Sequence, residues 1–102
     1  MDITVNKINP TKLMVKVSGK IDLDNAGEFG MTVKDSLDGI EDLILDFEEV
    51  SYISSIGLRV IFEFQKQMKV QGTMTIVHVQ PDVMNVFKMT GLDKLLSIIA
   101  DV

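Results

Sequence analysis

Cysteine is absent from the 102 residues. Its absence excludes disulfides, thiolate nucleophiles and cysteine-bound metal, and makes a reducing cytoplasm the expected home. The chain has one histidine, so a histidine-rich metal site is excluded as well. Basic charge is in short supply: ten Lys and Arg face fifteen Asp and Glu, for a formal charge of −5. Neutralising phosphates needs a concentrated basic face, and none is visible, so nucleic acid is not an expected partner. Long apolar runs are missing too. Nothing approaches the ~20 residues that span a bilayer, and residues 1–6 lack the basic stretch and apolar run of a signal peptide. No membrane partner is expected, and the protein is read as cytoplasmic. What remains, 46% hydrophobic and 25% charged residues, is the balance of a globular chain. At this length one core buries roughly two-thirds of the unfolded surface, so residues 1–102 are read as a single domain. The net charge and the lack of an evident apolar patch favour a monomer.

Ile3, Val5 and Ile8 half-alternate and stop at Asn9, Pro10 and Thr11, a turn in which proline fixes φ and withholds a donor. Leu13, Val15 and Val17 then alternate with Lys12, Met14, Lys16 and Ser18 at the period of a strand. An opening hairpin is expected, with a change of pattern after Gly19. Asn25 and Glu28 have the spacing of a capping box, and Ala26, Phe29, Val33 and Leu37 follow at helical spacing. This predicts a helix over 25–38, ended near Gly39. Leu43, Ile44, Leu45 and Phe47 form a central strand, followed by a solvated acidic turn at Asp46, Glu48 and Glu49. From Ser54 or Ser55 to Gln71 the pattern is helical, with Leu58, Ile61, Phe64, Gln65 and Met68 on one face and Arg59, Glu63 and Lys66 opposite. Gly72 is placed to cap it. Residues 74–79 read as a strand, 81–89 as a short helix opened by proline, and 96–99 as a last strand. Strands alternating with helices imply an α/β fold: a mixed sheet with an N-terminal hairpin and following β-α units, helices packed on the sheet.

The chemistry concentrates where the central strand meets the second long helix. Ser54 and Ser55 present two hydroxyls at that helix N-terminus. Capping is the ordinary role of serine there. Ile56, however, projects to the Arg59 and Glu63 side of the helix, away from Ile61 and Phe64, which places an exposed apolar residue beside the serines. A phosphate on a serine here would meet free N–H groups and the positive end of the helix dipole, at roughly 0.3–1 kcal/mol. Arg59, four residues past Ser55, is in range of a charge-assisted bond. By topology the loop over 19–25 lies at the same sheet edge, where α/β proteins collect their binding sites. Asp24 reads equally as a helix cap and as a binding residue; Asp22 is harder to explain as a cap. The pair lacks a histidine or a third acid nearby in sequence for acid-base or magnesium chemistry. His78, in an apolar strand, reads as a packed or hydrogen-bonded histidine. The seven methionines are spread through the chain and read as core filling.

Ser54, Ser55, Ile56, Gly57 and Leu58, after an apolar strand and acidic residues, resemble the phosphorylation loop of bacterial anti-sigma factor antagonists, small proteins built on the STAS domain. The family pattern is Asp or Ser, the phosphorylated Ser, any residue, Gly, Leu. The stretch from Gly19 to Asp22 resembles the family's first loop, and Pro81 to Leu92 its C-terminal helix and Gly-Leu turn, so the resemblance covers nearly the whole chain. It implies a STAS-type fold and a switch protein that is not an enzyme. Unphosphorylated, such a protein binds an anti-sigma factor that is also a serine kinase and frees the sigma factor for transcription; phosphorylation releases it, and a phosphoserine phosphatase resets it. ATP and magnesium belong to the kinase, and no cofactor is expected in this chain. Carried over, Ser55 is the acceptor, with Ser54 as the alternative, Asp22 contacts the kinase, and Ser54, Ile56 and Arg59 line the same interface, with Asp24 beside them. Two other readings stay open: a STAS scaffold subunit of a stress-signalling or lipid-transport assembly, and, weaker, a hydrolase using Ser55, Asp22 and His78, for which no nucleophile elbow is present.

Overall fold

The computed structural model describes residues 1–100, with Ala100 described by its backbone alone. Along the chain run β1 (Asp2–Asn9), β2 (Lys12–Ile21), α1 (Ala26–Lys34), β3 (Asp42–Ile53), α2 (Ser55–Gln71), β4 (Thr73–Val79), α3 (Pro81–Thr90), a 3-10 turn (Leu92–Lys94) and β5 (Ser97–Ala100). The sheet order is β1-β2-β3-β4-β5. The opening hairpin is antiparallel and every later pair is parallel. Each parallel step moves to the next neighbour in one direction, so right-handed crossovers bring the connecting helices to one face. Burial follows that geometry. Leu13, Val15 and Val17 of β2, Leu43, Leu45 and Phe47 of β3 and Ile76 of β4 point into the core, while the residues between them are partly or fully exposed.

The helices close the other side of the same cluster with Phe29 and Val33 from α1, Ile61, Phe64 and Met68 from α2, and Val83 and Phe87 from α3. Phe29 and Phe64 meet edge to face at 5.3 Å, a geometry worth about 0.5–1.5 kcal/mol beyond the area it buries. Among the described residues no helix is long and apolar enough to cross a membrane.

Three expectations change. The second strand does not stop at Gly19: Gly19 sits at φ +95° inside β2, beside a register break, and pairing resumes through Ile21. The acidic turn at 46–49 is strand. Asp46 pairs with Lys16 and Glu49 with Ser18 across a bulge, so inward burial jumps from Phe47 to Val50 and the extra residue hides the period. The α1 helix ends at Lys34 rather than near Gly39. Leu37 and Ile40 stay buried in the turns that follow, and their carbonyls accept from Gln71 Nε2 at 2.7 Å each. His78 lies in β4 as expected, and of the two roles read for it the structure shows the hydrogen-bonded one. It holds φ +58° at a break in β4–β5 pairing, with its side chain half exposed and Nδ1 3.1 Å from Asp46 Oδ1.

Gly72 does follow α2, and its N–H donates to the Met68 carbonyl. Its φ of 170° is extended; what demands glycine is the Glu41 backbone, which a Cβ would strike. Gly91 closes α3 in the left-handed region at φ +78°, the usual conformation of a glycine C-cap.

Candidate functional site

Ile21 and Ile53 pair at the ends of β2 and β3, and the Ser54 amide donates to the Ile21 carbonyl at 2.8 Å. The loop that opens α1 and the turn that opens α2 therefore lie side by side at the carboxyl edge of the sheet. Gly57 makes the second of these turns sit low. A Cβ there would come within 2.8 Å of both Ile21 Cγ2 and Ile53 Cγ1, closer than side-chain carbons pack, so the first turn of α2 rests directly on the strand ends.

The two adjacent serines are in different environments. Ser54 is the N-cap, in extended conformation at φ −84° and ψ 170°. Only 8% of it is exposed; its Oγ accepts from the Gly57 amide at 3.1 Å and its carbonyl from the Leu58 amide at 3.0 Å. Ser55 is the first helical residue and is exposed. An α-helix leaves its first amides without intrahelical acceptors. The Ser54 Oγ serves that of Gly57, its carbonyl takes the first intrahelical bond from Leu58, and the Ser55 hydroxyl stands at the mouth of the turn.

The neighbouring loop is tied by its own side chains. Asp22 Oδ1 accepts from the amides of Asp24 (3.0 Å) and Asn25 (3.1 Å). Asn25 returns the bond by accepting from the Asp22 amide at 2.8 Å and donating from Nδ2 to the Lys20 carbonyl at 2.8 Å. The capping box expected from Asn25 and Glu28 is not formed, because the Asn25 side chain is turned back into the loop and gives α1 no side-chain cap. Asp24 is exposed and does not cap α1 either. Asp22 is half-buried and acts as the keystone of the turn.

Of the other candidates, Arg59 is exposed one turn beyond Ser55 and makes no ion pair among the described residues. Ile56 is half-buried and packs on the core cluster, so it is not the free apolar residue that its helix face suggested. The exposed apolar groups at this edge are instead Leu23, 74% exposed, and Tyr52, 49% exposed, neither singled out in the sequence. Their signal was an apolar residue between two acids in a turn, and an aromatic at an outward register position of β3.

Catalytic alternatives find little support. The carboxylate of Asp22 is spent on backbone amides, and His78 Nδ1 faces Asp46 and Glu48. No group of three or more metal-binding side chains occurs among the described residues. The Glu49 carboxylate, 3.2 Å from the Lys16 amine, holds that amine above the usual lysine value by hydrogen bonding and charge.

Comparison with known proteins agrees with this architecture. The STAS domain family model matches residues 2–102. BtrV of Bordetella bronchiseptica, named as an anti-sigma factor antagonist, is 32% identical over 93 residues, covering 89% of this chain and 79% of BtrV. The crystal structure of an anti-sigma factor antagonist of Thermotoga maritima superposes with a TM-score of 0.88 at 21% identity, covering 98% of this chain and 87% of that one. The anti-sigma factor antagonist SpoIIAA in its unphosphorylated form gives a TM-score of 0.83 at 16% identity, covering 95% and 87%. SpoIIAA as the Bacillus cell fate determinant in its phosphorylated form gives 0.75 at 15% identity, covering 95% and 90%. A mixed five-stranded sheet carrying three helices, with two loops joined at its carboxyl edge, is thus the STAS fold, and the chain belongs to the STAS domain family, alongside relatives named as anti-sigma factor antagonists.

Proposed function

We propose that this protein is a phosphorylation-switched binding module of the cytoplasm. In its unphosphorylated form it captures an anti-sigma factor that is also a serine kinase and so frees a sigma factor; phosphorylation of Ser55 releases the kinase, and a phosphoserine phosphatase resets the cycle. The observation that carries this reading is the division of labour between the serines: Ser54 is buried and committed to the cap, while Ser55 is exposed on the same turn. A kinase active site reaches Ser55 without unfolding the helix. The phosphate then sits at a helix N-terminus, where the dipole favours it. The fold is kept and the surface charge changes by about −2.

Binding uses the edge around that serine, with Asp22, Asp24, Ile56 and Arg59 beside it and Ser54 beneath it. The partner's nucleotide and magnesium stay with the kinase. A dianion desolvated in this interface near acids weakens binding by the ~2.8 kcal/mol that a hundredfold switch requires.

The test is intact mass after incubation with Mg-ATP and candidate serine-kinase anti-sigma factors, followed by calorimetry with the kinase that acts. One added phosphate on the parent, none on Ser55→Ala, tight binding by Ser55→Ala and at least a hundredfold weaker binding by Ser55→Asp are expected. Phosphate appearing on Ser55→Ala, or equal affinities for the two variants, overturns the mechanism.

A further inference from the structure

Between α1 and α2 runs a surface groove of about 180 Å³, lined by Gly27, Gly30, Met31 and Lys34 on one bank and Val60 and Glu63 on the other. Both helices start at the carboxyl edge of the sheet, so the groove opens from the surface that carries Ser55. It is smaller than the ~300–1,000 Å³ of sites that enclose a small organic ligand. A single side chain is the occupant its size suits.

The two glycines differ in what they do for the fold. Gly30 lies where the helices touch: a Cβ there would sit 3.2 Å from Val60 Cγ1, and Val60 would have to give by a few tenths of an ångström. Gly27 has no such neighbour. It is helical, its φ is not in the left-handed region, and a Cβ there would meet nothing within 4 Å. Glycine is the residue least suited to a helix after proline, so neither conformation nor packing within the chain accounts for it. What its missing side chain supplies is depth at the end of the groove nearest Ser55. Beside it Met31 is 69% exposed, an adaptable apolar wall of the kind that accepts a partner side chain. The charges name a neighbour for that side chain: Lys34 is exposed and makes no ion pair among the described residues, whereas Glu63 on the opposite bank is drawn to Lys66 at 3.8 Å.

We infer that this groove receives an aliphatic or methionine side chain of the serine-kinase anti-sigma factor, flanked on the kinase by an acidic group that meets Lys34. The inference rests on the proposed capture of that kinase through the first turn of α2, and extends the contact along both helices.

The probe is the kinase that phosphorylates the parent protein, titrated by calorimetry against the full chain. Gly27→Leu fills the groove and Lys34→Glu reverses its bank. Each is expected to weaken binding about tenfold or more, with Gly27→Leu melting no lower than the parent. Val70→Glu, at an 89% exposed position near the far end of α2, is expected to bind as the parent does. If Gly27→Leu loses the fold, Gly27→Ala, which adds only one carbon, and Lys34→Glu decide. Parent-like affinity in the groove variants, with Ser55→Asp still releasing the kinase, overturns the groove and leaves the switch standing. A parent protein that binds no such kinase overturns the switch, and the groove with it.

Discussion

Replacing Ser54 with alanine separates the two serines by stability before any partner is identified. The Ser54 Oγ is the side-chain acceptor at the start of α2, bonded to the Gly57 amide at 3.1 Å. Losing an N-cap of this type costs about 0.5–2 kcal/mol. Here the orphaned amide belongs to a buried residue, and water does not fully replace the lost oxygen, so the cost moves toward the 1–3 kcal/mol of an unsatisfied buried donor. Taking about 1.5–3 kcal/mol together, a chain of this length melts roughly 7–14 °C lower. Ser55→Ala touches an exposed hydroxyl that makes no hydrogen bond among the described residues, and stays within about 0.5 kcal/mol of the parent. Ser54→Asp keeps a capping oxygen and adds charge favoured at the helix N-terminus, so most of the loss is restored. Thermal and urea unfolding of the three variants, followed by circular dichroism, checks the ordering. Equal midpoints for Ser54→Ala and Ser55→Ala, or a lower one for Ser55→Ala, refute the assignment of cap and free hydroxyl.

Gly57→Ala should destabilise despite the better helix propensity of alanine. The methyl meets both Ile21 and Ile53 at 2.8 Å, and overpacking of about 1–3 kcal/mol outweighs a propensity gain of up to about 1 kcal/mol; a midpoint at or above the parent's would contradict the close seating of α2. Asn25→Ala removes an acceptor for the Asp22 amide and a donor to the Lys20 carbonyl, so hydrogen exchange at Asp22 should speed up severalfold while the core amides keep their protection. For Lys16, the folded-state value lies above the ordinary 10.5 because of Glu49, so the contribution of this pair is fully present at neutral pH and is lost as pH rises through that raised value. Glu49→Gln should return the Lys16 amine toward 10.5 in an NMR titration, and an unchanged midpoint would remove Glu49 as the cause.

Much of this molecule follows from local pattern. Leu13, Val15 and Val17 announce their strand because period-two alternation is a property of the extended backbone itself. Leu58, Ile61, Phe64 and Met68 announce theirs as a helix in the same way, and Pro81 and Gly91 bound α3 through their own φ preferences. The element order, the mixed sheet and the placing of Ser54 and Ser55 at a helix start needed nothing further. Other features depend on neighbours distant in sequence. Whether Asn25 caps α1 or locks its loop is decided by where β2 leaves the Lys20 carbonyl and the Asp22 amide, since both uses call for the same side chain. The bulge that turns residues 46–49 from a turn into strand exists only in pairing with β2, and the end of α1 at Lys34 is fixed where Gln71 reaches the Leu37 and Ile40 carbonyls.

The division between Ser54 and Ser55 is the plainest case. The amino-acid order set two hydroxyls side by side at the right place, because capping chemistry and helical periodicity are local. Which of them is spent depended on the Ile21 carbonyl holding the Ser54 amide and on Gly57 resting on two strand ends. The contacts with Ile21 join residues more than thirty positions apart, and only a folded sheet brings them together.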